Sequence, residues 1–216
     1  MNLLIIGAPG AGKGTMSDIL IKNYDLVHIS TGDMLREAVK NGTPVGKIAQ
    51  GYMNAGALVP DEVIHDIIVE RLSKDDLDNG FLFDGYPRTK AQAEDLSLIL
   101  EQLNKKIDAV IDLDIPDEDL IKRITGRRLC PACGEIYNIY FKKPSLEGKC
   151  DKCGADLIQR KDDNLESLEV RLSEYHKNTQ PLIEYYEEMG LVRHTDASQG
   201  VDKVFEEIRS FLEGLC

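Results

Sequence analysis

The chain lacks any apolar run approaching the roughly 18 to 20 residues that a membrane-spanning helix needs, and Asn2-Leu3-Leu4-Ile5-Ile6 follows the first methionine with no basic segment or cleavage site before it. It is also short of positive charge, with 26 Lys and Arg against 38 Asp and Glu and a formal net charge of −12. Affinity for a phosphate backbone depends on clustered Lys and Arg, so this balance argues against a general nucleic-acid or membrane-surface binder. A small phosphate ligand is still allowed, because its site needs only a few cations focused into one cleft. Internal repeats and low-complexity stretches are missing too. These absences lead us to expect a soluble cytoplasmic protein with no nucleic-acid or membrane partner.

What is present is 216 residues, 42% of them hydrophobic and 30% charged, enough for one globular unit with insertions. Strand-like runs at Leu3–Ile6, Leu26–Ile29, Phe81–Phe83, Ala109–Leu113 and Leu191–His194 alternate with helical patterns. One of these has apolar positions at Leu96, Ile99, Leu100 and Leu103, and another starts at Pro116. Alternation of this kind predicts an α/β fold, a doubly wound parallel five-stranded sheet with helices on both faces. Two stretches interrupt it. Residues 30–60 read as helical pieces punctuated by glycine and proline, with Asn41-Gly42-Thr43 as a turn followed by a helix cap. Residues 128–160 hold short β-like pieces such as Ile136–Phe141. A long helical region over 164–188 contains Pro181, which predicts a kink there. The histidines His28, His65, His176 and His194 show no paired ligand spacing and read as structural or surface residues.

Directly after the first strand comes Gly7-Ala8-Pro9-Gly10-Ala11-Gly12-Lys13-Gly14-Thr15 and then a helical pattern. Glycines allow backbone N–H groups to curl around phosphate oxygens, the helix start favours negative charge, and Lys13 can reach the β and γ phosphates. The residue after the lysine is Gly14, where a general phosphate loop has Ser or Thr for magnesium. The Gly12-Lys13-Gly14-Thr15 form resembles nucleoside monophosphate kinases, and that resemblance implies magnesium held largely through water and phosphate, with a strand-end carboxylate to orient the water. Asp84, closing Phe81-Leu82-Phe83, is the carboxylate placed to orient that water.

Four of the five cysteines form two Cys-x2-Cys pairs, Cys130/Cys133 and Cys150/Cys153, separated by sixteen residues. Without a secretory signal, this spacing favours one structural metal over two disulfides. Four thiolates would leave no open coordination position, so zinc is expected, with iron as the alternative. Cys216 reads as a free thiol without a role.

Together with the phosphate loop, Thr31-Gly32-Asp33, Leu58-Val59-Pro60-Asp61 and Asp84-Gly85-Tyr86-Pro87-Arg88-Thr89 through Gln92 resemble segments of the adenylate kinase family. So do Arg123-Ile124-Thr125-Gly126-Arg127-Arg128, Arg160-Lys161-Asp162-Asp163 and Arg171-Leu172, and the resemblance covers essentially the whole chain. It implies reversible magnesium-dependent phosphoryl transfer, ATP + AMP = 2 ADP, by a monomer serving adenine nucleotide balance. It also implies a core of residues 1–29, 60–127 and 164–216, a helical nucleoside-monophosphate-binding insertion at 30–59 and a metal-binding lid at 128–163. ATP contacts would come from Gly10, Ala11, Gly12, Lys13, Gly14, Thr15, Arg123, Arg127, Ile136, Tyr137 and Gln199. AMP contacts would come from Thr31, Arg36, Ala57, Leu58, Val59, Gly85, Tyr86, Pro87, Arg88, Gln92, Arg160 and Arg171. Lys13, Arg88, Arg123, Arg127, Arg160 and Arg171 would stabilise the transferring group. Tyr86 stands where the family more often has Phe, and Met16 where Gln is frequent; both substitutions keep a similar volume. A related kinase acting on UMP or CMP, or using GTP as donor, is the alternative that Gln92 and the long cysteine-bearing lid argue against.

Overall fold

A computed structural model of the chain describes residues 1–215, so Cys216 lies outside the described residues. In chain order the strands are β1 (Asn2–Gly7), β2 (Val27–Ser30), β3 (Phe81–Asp84), β4 (Ala109–Asp114), β5 (Arg127–Leu129), β6 (Ile136–Asn138) and β7 (Val192–Asp196). All but β5 and β6 form one sheet in the order β2-β3-β1-β4-β7, with every pairing parallel. The helices are α1 (Lys13–Tyr24), α2 (Thr31–Lys40), α3 (Pro44–Ala55), α4 (Asp61–Leu72), α5 (Lys90–Gln102), α6 (Asp117–Thr125), α7 (Leu165–Glu174), α8 (Gln180–Glu187) and α9 (Val201–Glu213).

The central strands are apolar at nearly every position because both faces of a parallel sheet are covered. Side chains alternate across the pleat and feed two cores. Leu4, Ile6, Phe81, Phe83 and Val110 pack on one face against Ile64 and Ile68 of α4, Leu96 and Leu100 of α5, and Leu182 and Tyr186 of α8. Leu3, Ile5, Leu82 and Ile111 pack on the other against Met16 and Leu20 of α1, Leu120 of α6, and Val204 and Ile208 of α9. Met16 is thus a core residue. The strands all point the same way, so the loops after β1, β2 and β3 gather at one edge of the sheet, where open α/β folds bind their ligands.

Two segments leave this layer arrangement. After β2 the chain goes straight into α2, capped by Ser30 Oγ accepting from Asp33 N at 3.3 Å. Following the turn at Asn41-Gly42, Thr43 caps α3 by accepting from Gly46 N at 3.0 Å. The other segment opens with β5 and β6 as an antiparallel pair, extended by a bridge between Leu129 and Ile158. The expected strand over Ile136–Phe141 is shorter than its apolar pattern: it ends at Asn138, whose Oδ1 accepts from Tyr140 N at 2.8 Å and turns the chain.

The irregularity expected at Pro181 lies ahead of it. Residues Tyr175–Thr179 form a π-helical turn between α7 and α8, with Gln180 N donating to Tyr175 O, and Pro181 sits in the first turn of α8. A proline clashes with the carbonyl four residues back, and the wide turn relieves that clash by moving the hydrogen bonds one residue further along. No helix among the described residues is long and apolar enough to cross a membrane.

Candidate active site and metal centre

The phosphate loop leaves β1 at Gly7 and turns into α1 through Gly12, whose φ of 106° is a left-handed value that favours glycine. No side chain caps α1, so its first N–H groups are left for a ligand, the arrangement that binds anions at helix starts. Lys13 folds back over the loop, its Nζ donating to Gly7 O at 2.7 Å and Ala8 O at 3.0 Å. Burial lowers its ammonium to about 8, with Asp84 pulling upward and Arg88, Arg171 and Arg127 pushing down. The loop floors a cleft of about 1420 Å³ that reaches from the β3 end to the β5–β6 sheet, with a side pocket of about 90 Å³ beneath α2 and α3. The larger volume exceeds the range usual for a single small ligand.

Around the side pocket, Thr31 Oγ1 and Arg88 Nε both donate to Gly85 O, at 3.0 and 2.8 Å. Ala57, Leu58, Val59 and Tyr86 line the same pocket. Gln92 is buried: its Oε1 accepts from Arg88 N at 2.8 Å and its Nε2 donates to Asp61 Oδ1 at 2.6 Å. The extra hydroxyl of Tyr86 finds a partner in Gln92 O at 3.3 Å. Thr179, in the π-helical turn, donates through Oγ1 to Arg88 O at 2.9 Å. The strand-end loop carrying Arg88 is therefore fixed from α5 and from the π-helical turn.

The remaining arginines converge on the larger cleft together with Gly10, Ala11, Gly14, Thr15, Pro87 and Ile136. Arg123, on α6, donates to Ala11 O at 3.1 Å and Ala197 O at 2.9 Å, beside Gln199, whose Oε1 is buried without a partner. Arg127 makes a two-point ion pair with Asp163. Arg171 donates to Asp162 Oδ2 at 3.0 Å, Arg36 pairs with Asp33, and Arg160 lies 3.9 Å from the same Asp33. Burial, then repulsion from Arg171, brings Arg88 down to about 10; burial, then Arg36 and Arg127, does the same to Arg160. Buried cations that repel one another favour a polyanion between them.

Several contributors escaped the sequence reading. His28 lines the cleft 3.7 Å from Asp84; burial works against its charged ring, but Asp84, with Asp33 and Asp18 behind it, raises its pKa. Asp33, Asp162 and Asp163, which the sequence placed in family segments without giving them a role, hold arginines. The other histidines pair with carboxylates away from the cleft.

Cys130, Cys133, Cys150 and Cys153 bring their sulfurs within 4.8 Å of one another. The Cys130–Cys153 and Cys133–Cys150 separations are 3.4 and 3.6 Å, too long for the roughly 2.05 Å of a disulfide. They are near the edge of about 3.8 Å implied by four zinc–sulfur bonds of about 2.3 Å, so the donor set fits a tetrathiolate metal. Each pair sits on the same turn. Cys130 N donates to Glu135 O and Gly134 N returns to Cys130 O; Cys150 N donates to Ala155 O and Gly154 N returns to Cys150 O. Gly134 and Gly154 have φ of 77° and 75°. The two Cys-x2-Cys-Gly stretches thus fold into the same five-residue turn.

A family model described as "Adenylate kinase" matches residues 5–191. Among curated proteins, the chain is 52% identical over 215 residues to the adenylate kinase of Geobacillus sp. (strain WCH70), covering 100% of both chains. It is 47% identical over 213 residues to that of Thermodesulfovibrio yellowstonii, covering 99% of each. It is 49% identical over 213 residues to that of Archaeoglobus fulgidus, covering 99% of this chain and 98% of the relative.

Proposed function

The chain belongs to the adenylate kinase family, and on that premise we propose how its cleft carries out reversible phosphoryl transfer between ATP and AMP to give two ADP. The observation that carries the reading is the meeting, in one cleft, of a phosphate loop with Lys13 and arginines from both sides of it. ATP places its phosphates along Gly10–Thr15, with the donor base near Arg123 and Gln199 under Ile136 and Tyr137. AMP occupies the side pocket, its phosphate at Arg36 and Arg88 and its base toward Val59 and Gln92. Residues 30–59 and 128–163 act as the monophosphate-binding unit and the lid, and both close over the nucleotides. Closure excludes water, which would otherwise accept the phosphoryl group.

In the transfer an ionised phosphate oxygen of AMP attacks the γ phosphorus of ATP. The bond from that phosphorus to the β–γ bridging oxygen breaks, and its electrons stay on the new ADP. No general base or covalent nucleophile is needed, because the attacking oxygen is already deprotonated. The work is positioning and charge stabilisation. Lys13, Arg88, Arg123, Arg127, Arg160 and Arg171 supply it, and arginine suits the task by gripping phosphate at two points. Magnesium, bound together with the nucleotide, would supply charge neutralisation at the phosphates. The carboxylate of Asp84, whose charge favours the protonated Lys13 beside it, is suited to orient water on such an ion.

The four cysteines hold one structural metal, zinc in preference to iron, which stiffens the lid and takes no part in the chemistry. Four free thiols are consistent with a reducing cytoplasm. Both nucleotide pockets are lined by one chain, so a monomer suffices. A coupled assay pairing ATP with AMP, CMP, UMP or GMP, and AMP with GTP, tests the assignment. AMP with ATP should be turned over far faster than any other pair. Equal or faster turnover of CMP or UMP would replace the acceptor, and of GTP the donor.

A further inference from the structure

The two cysteine turns differ at both positions between their cysteines, and the first of these bears on the metal side. After the leading cysteine the first has Pro131, which carries no N–H; the second has Asp151, whose N–H donates to Tyr137 Oη at 2.8 Å. That same oxygen lies 3.5 Å from Cys150 Sγ, within reach of a hydrogen bond to sulfur. A phenol oxygen has a single hydrogen to give. The Asp151 amide already uses a lone pair on Oη, which leaves the hydroxyl hydrogen for the sulfur. A cysteine that ligates a metal does so as thiolate and has no proton of its own, so the bond can run only from Tyr137 to Cys150.

Tyr137 is also where the lid's small core is built. It is 3% exposed and packs with Cys130 and Cys150, with Cys133, Ala155 and Leu157 around them. It sits on β6 next to Ile136, whose Cδ1 would stand 4.0 Å from a Cβ placed on Gly14 of the phosphate loop. We propose that Tyr137 is a positioning residue of the metal centre. Its hydroxyl clamps the Cys150 thiolate and the Asp151 amide together and ties the second cysteine turn to the strand that lines the nucleotide cleft. Its hydroxyl is therefore committed to the metal side, and any contact with ATP at this position falls to the ring edge or backbone. The inference rests on the reading above that the four cysteines bind a metal. It explains why only the second turn needs a residue with an N–H after its leading cysteine.

The test uses the full chain as wild type, Tyr137→Phe and, as a control for an exposed phenol on the same lid, Tyr140→Phe. Each is loaded with Co2+ and titrated with a chromogenic chelator. Outer-shell hydrogen bonds to metal ligands typically change affinity about 10- to 100-fold. Tyr137→Phe should therefore bind Co2+ at least about tenfold more weakly and shift the thiolate-to-cobalt charge-transfer band, while Tyr140→Phe matches wild type. Unchanged affinity and band position in Tyr137→Phe would overturn the inference and leave the metal reading intact. A wild-type protein that takes up neither Co2+ nor Zn2+ would overturn both. If Tyr137→Phe does not fold, wild type loaded with cadmium-113 decides. A Tyr137 hydroxyl proton coupled to the metal through Cys150 supports the bond, and its absence in the folded, loaded protein refutes it.

Discussion

Arg127 and Asp163 form a two-point ion pair between β5, on which the chain enters the proposed lid, and the segment just ahead of α7. Asp163 is 1% exposed, and Asp162 beside it pairs with Arg171 on α7. These two acids therefore set the spacing of two arginines that meet phosphate in the proposed mechanism. Removing one partner of a buried pair strands the other charge, at a cost of about 3 to 5 kcal/mol. Asp163→Ala should accordingly lower stability by about 3 kcal/mol or more and raise KM for ATP together with a fall in kcat. Denaturant titration and steady-state kinetics give both values, and a protein with wild-type midpoint and KM would show that the pair positions nothing.

Lys13 carries a prediction about protons. In the free protein burial holds it near 8, below the ordinary 10.5, so its charged form costs the folded state. That cost is fully present below pH 8 and lifts as pH rises toward 10.5, because the unfolded chain binds more protons over that interval. ATP phosphates restore the charge, so ATP binding at pH 9 should take up close to one proton. Calorimetry in buffers of different ionisation enthalpy reads this directly, and binding heats independent of buffer would contradict it. Lys13→Met should abolish the uptake and slow turnover by orders of magnitude, since an electrostatic donor in a closed site is worth about 3 to 4 kcal/mol.

Gln92 connects Asp61 to the backbone of Arg88, so its loss acts on the acceptor side. Gln92→Ala should raise KM for AMP several-fold with a much smaller effect on KM for ATP. Equal changes for the two substrates would show that the amide serves general packing and not the acceptor site.

Stripping the proposed metal should loosen residues 128–163 before the sheet. The lid core is three buried residues, two of them cysteines, and structural zinc in small peptides is worth on the order of 10 to 16 kcal/mol. Hydrogen exchange should rise first across 128–163, while phosphotransfer persists at temperatures where the metal-free protein remains folded. Full loss of activity with lid protection unchanged would give the metal a direct part in the chemistry.

What the sequence revealed follows from the range of each signal. The strands of the main sheet, the phosphate loop, the Thr43 cap and the cysteine cluster are written in neighbouring residues, and the strands occur within two residues of their expected bounds. The contacts that orient the arginines are long-range: Asp163 is 36 residues from Arg127, and Thr179 is 91 from Arg88. His28 reads as an ordinary strand residue until β3 pairs beside β2 and brings Asp84 across. In the sequence Gln92 is an AMP contact implied by the family resemblance. Its burial between Asp61 and Arg88 depends on how α4 and α5 lie together, which residue order alone does not fix. Pro181 announced an irregular helix correctly, but where the strain is relieved depends on the packing of the preceding turn.

The wide turn at Tyr175–Thr179 also governs what changes the chain can absorb. It carries one residue more than an α-helix would need, and one residue is about 100° of rotation about the helix axis. Leu182, Ile183 and Tyr186 face the sheet, and Thr179 meets Arg88, only in that phase. A single-residue deletion here would restore regular winding and swing the apolar side of α8 about a quarter-turn away from its core. At this point the molecule is sensitive to residue count more than to residue identity. Point substitutions along the exposed side of the turn should pass quietly, while a deletion of one residue uncouples the last helices from the loop that carries Arg88.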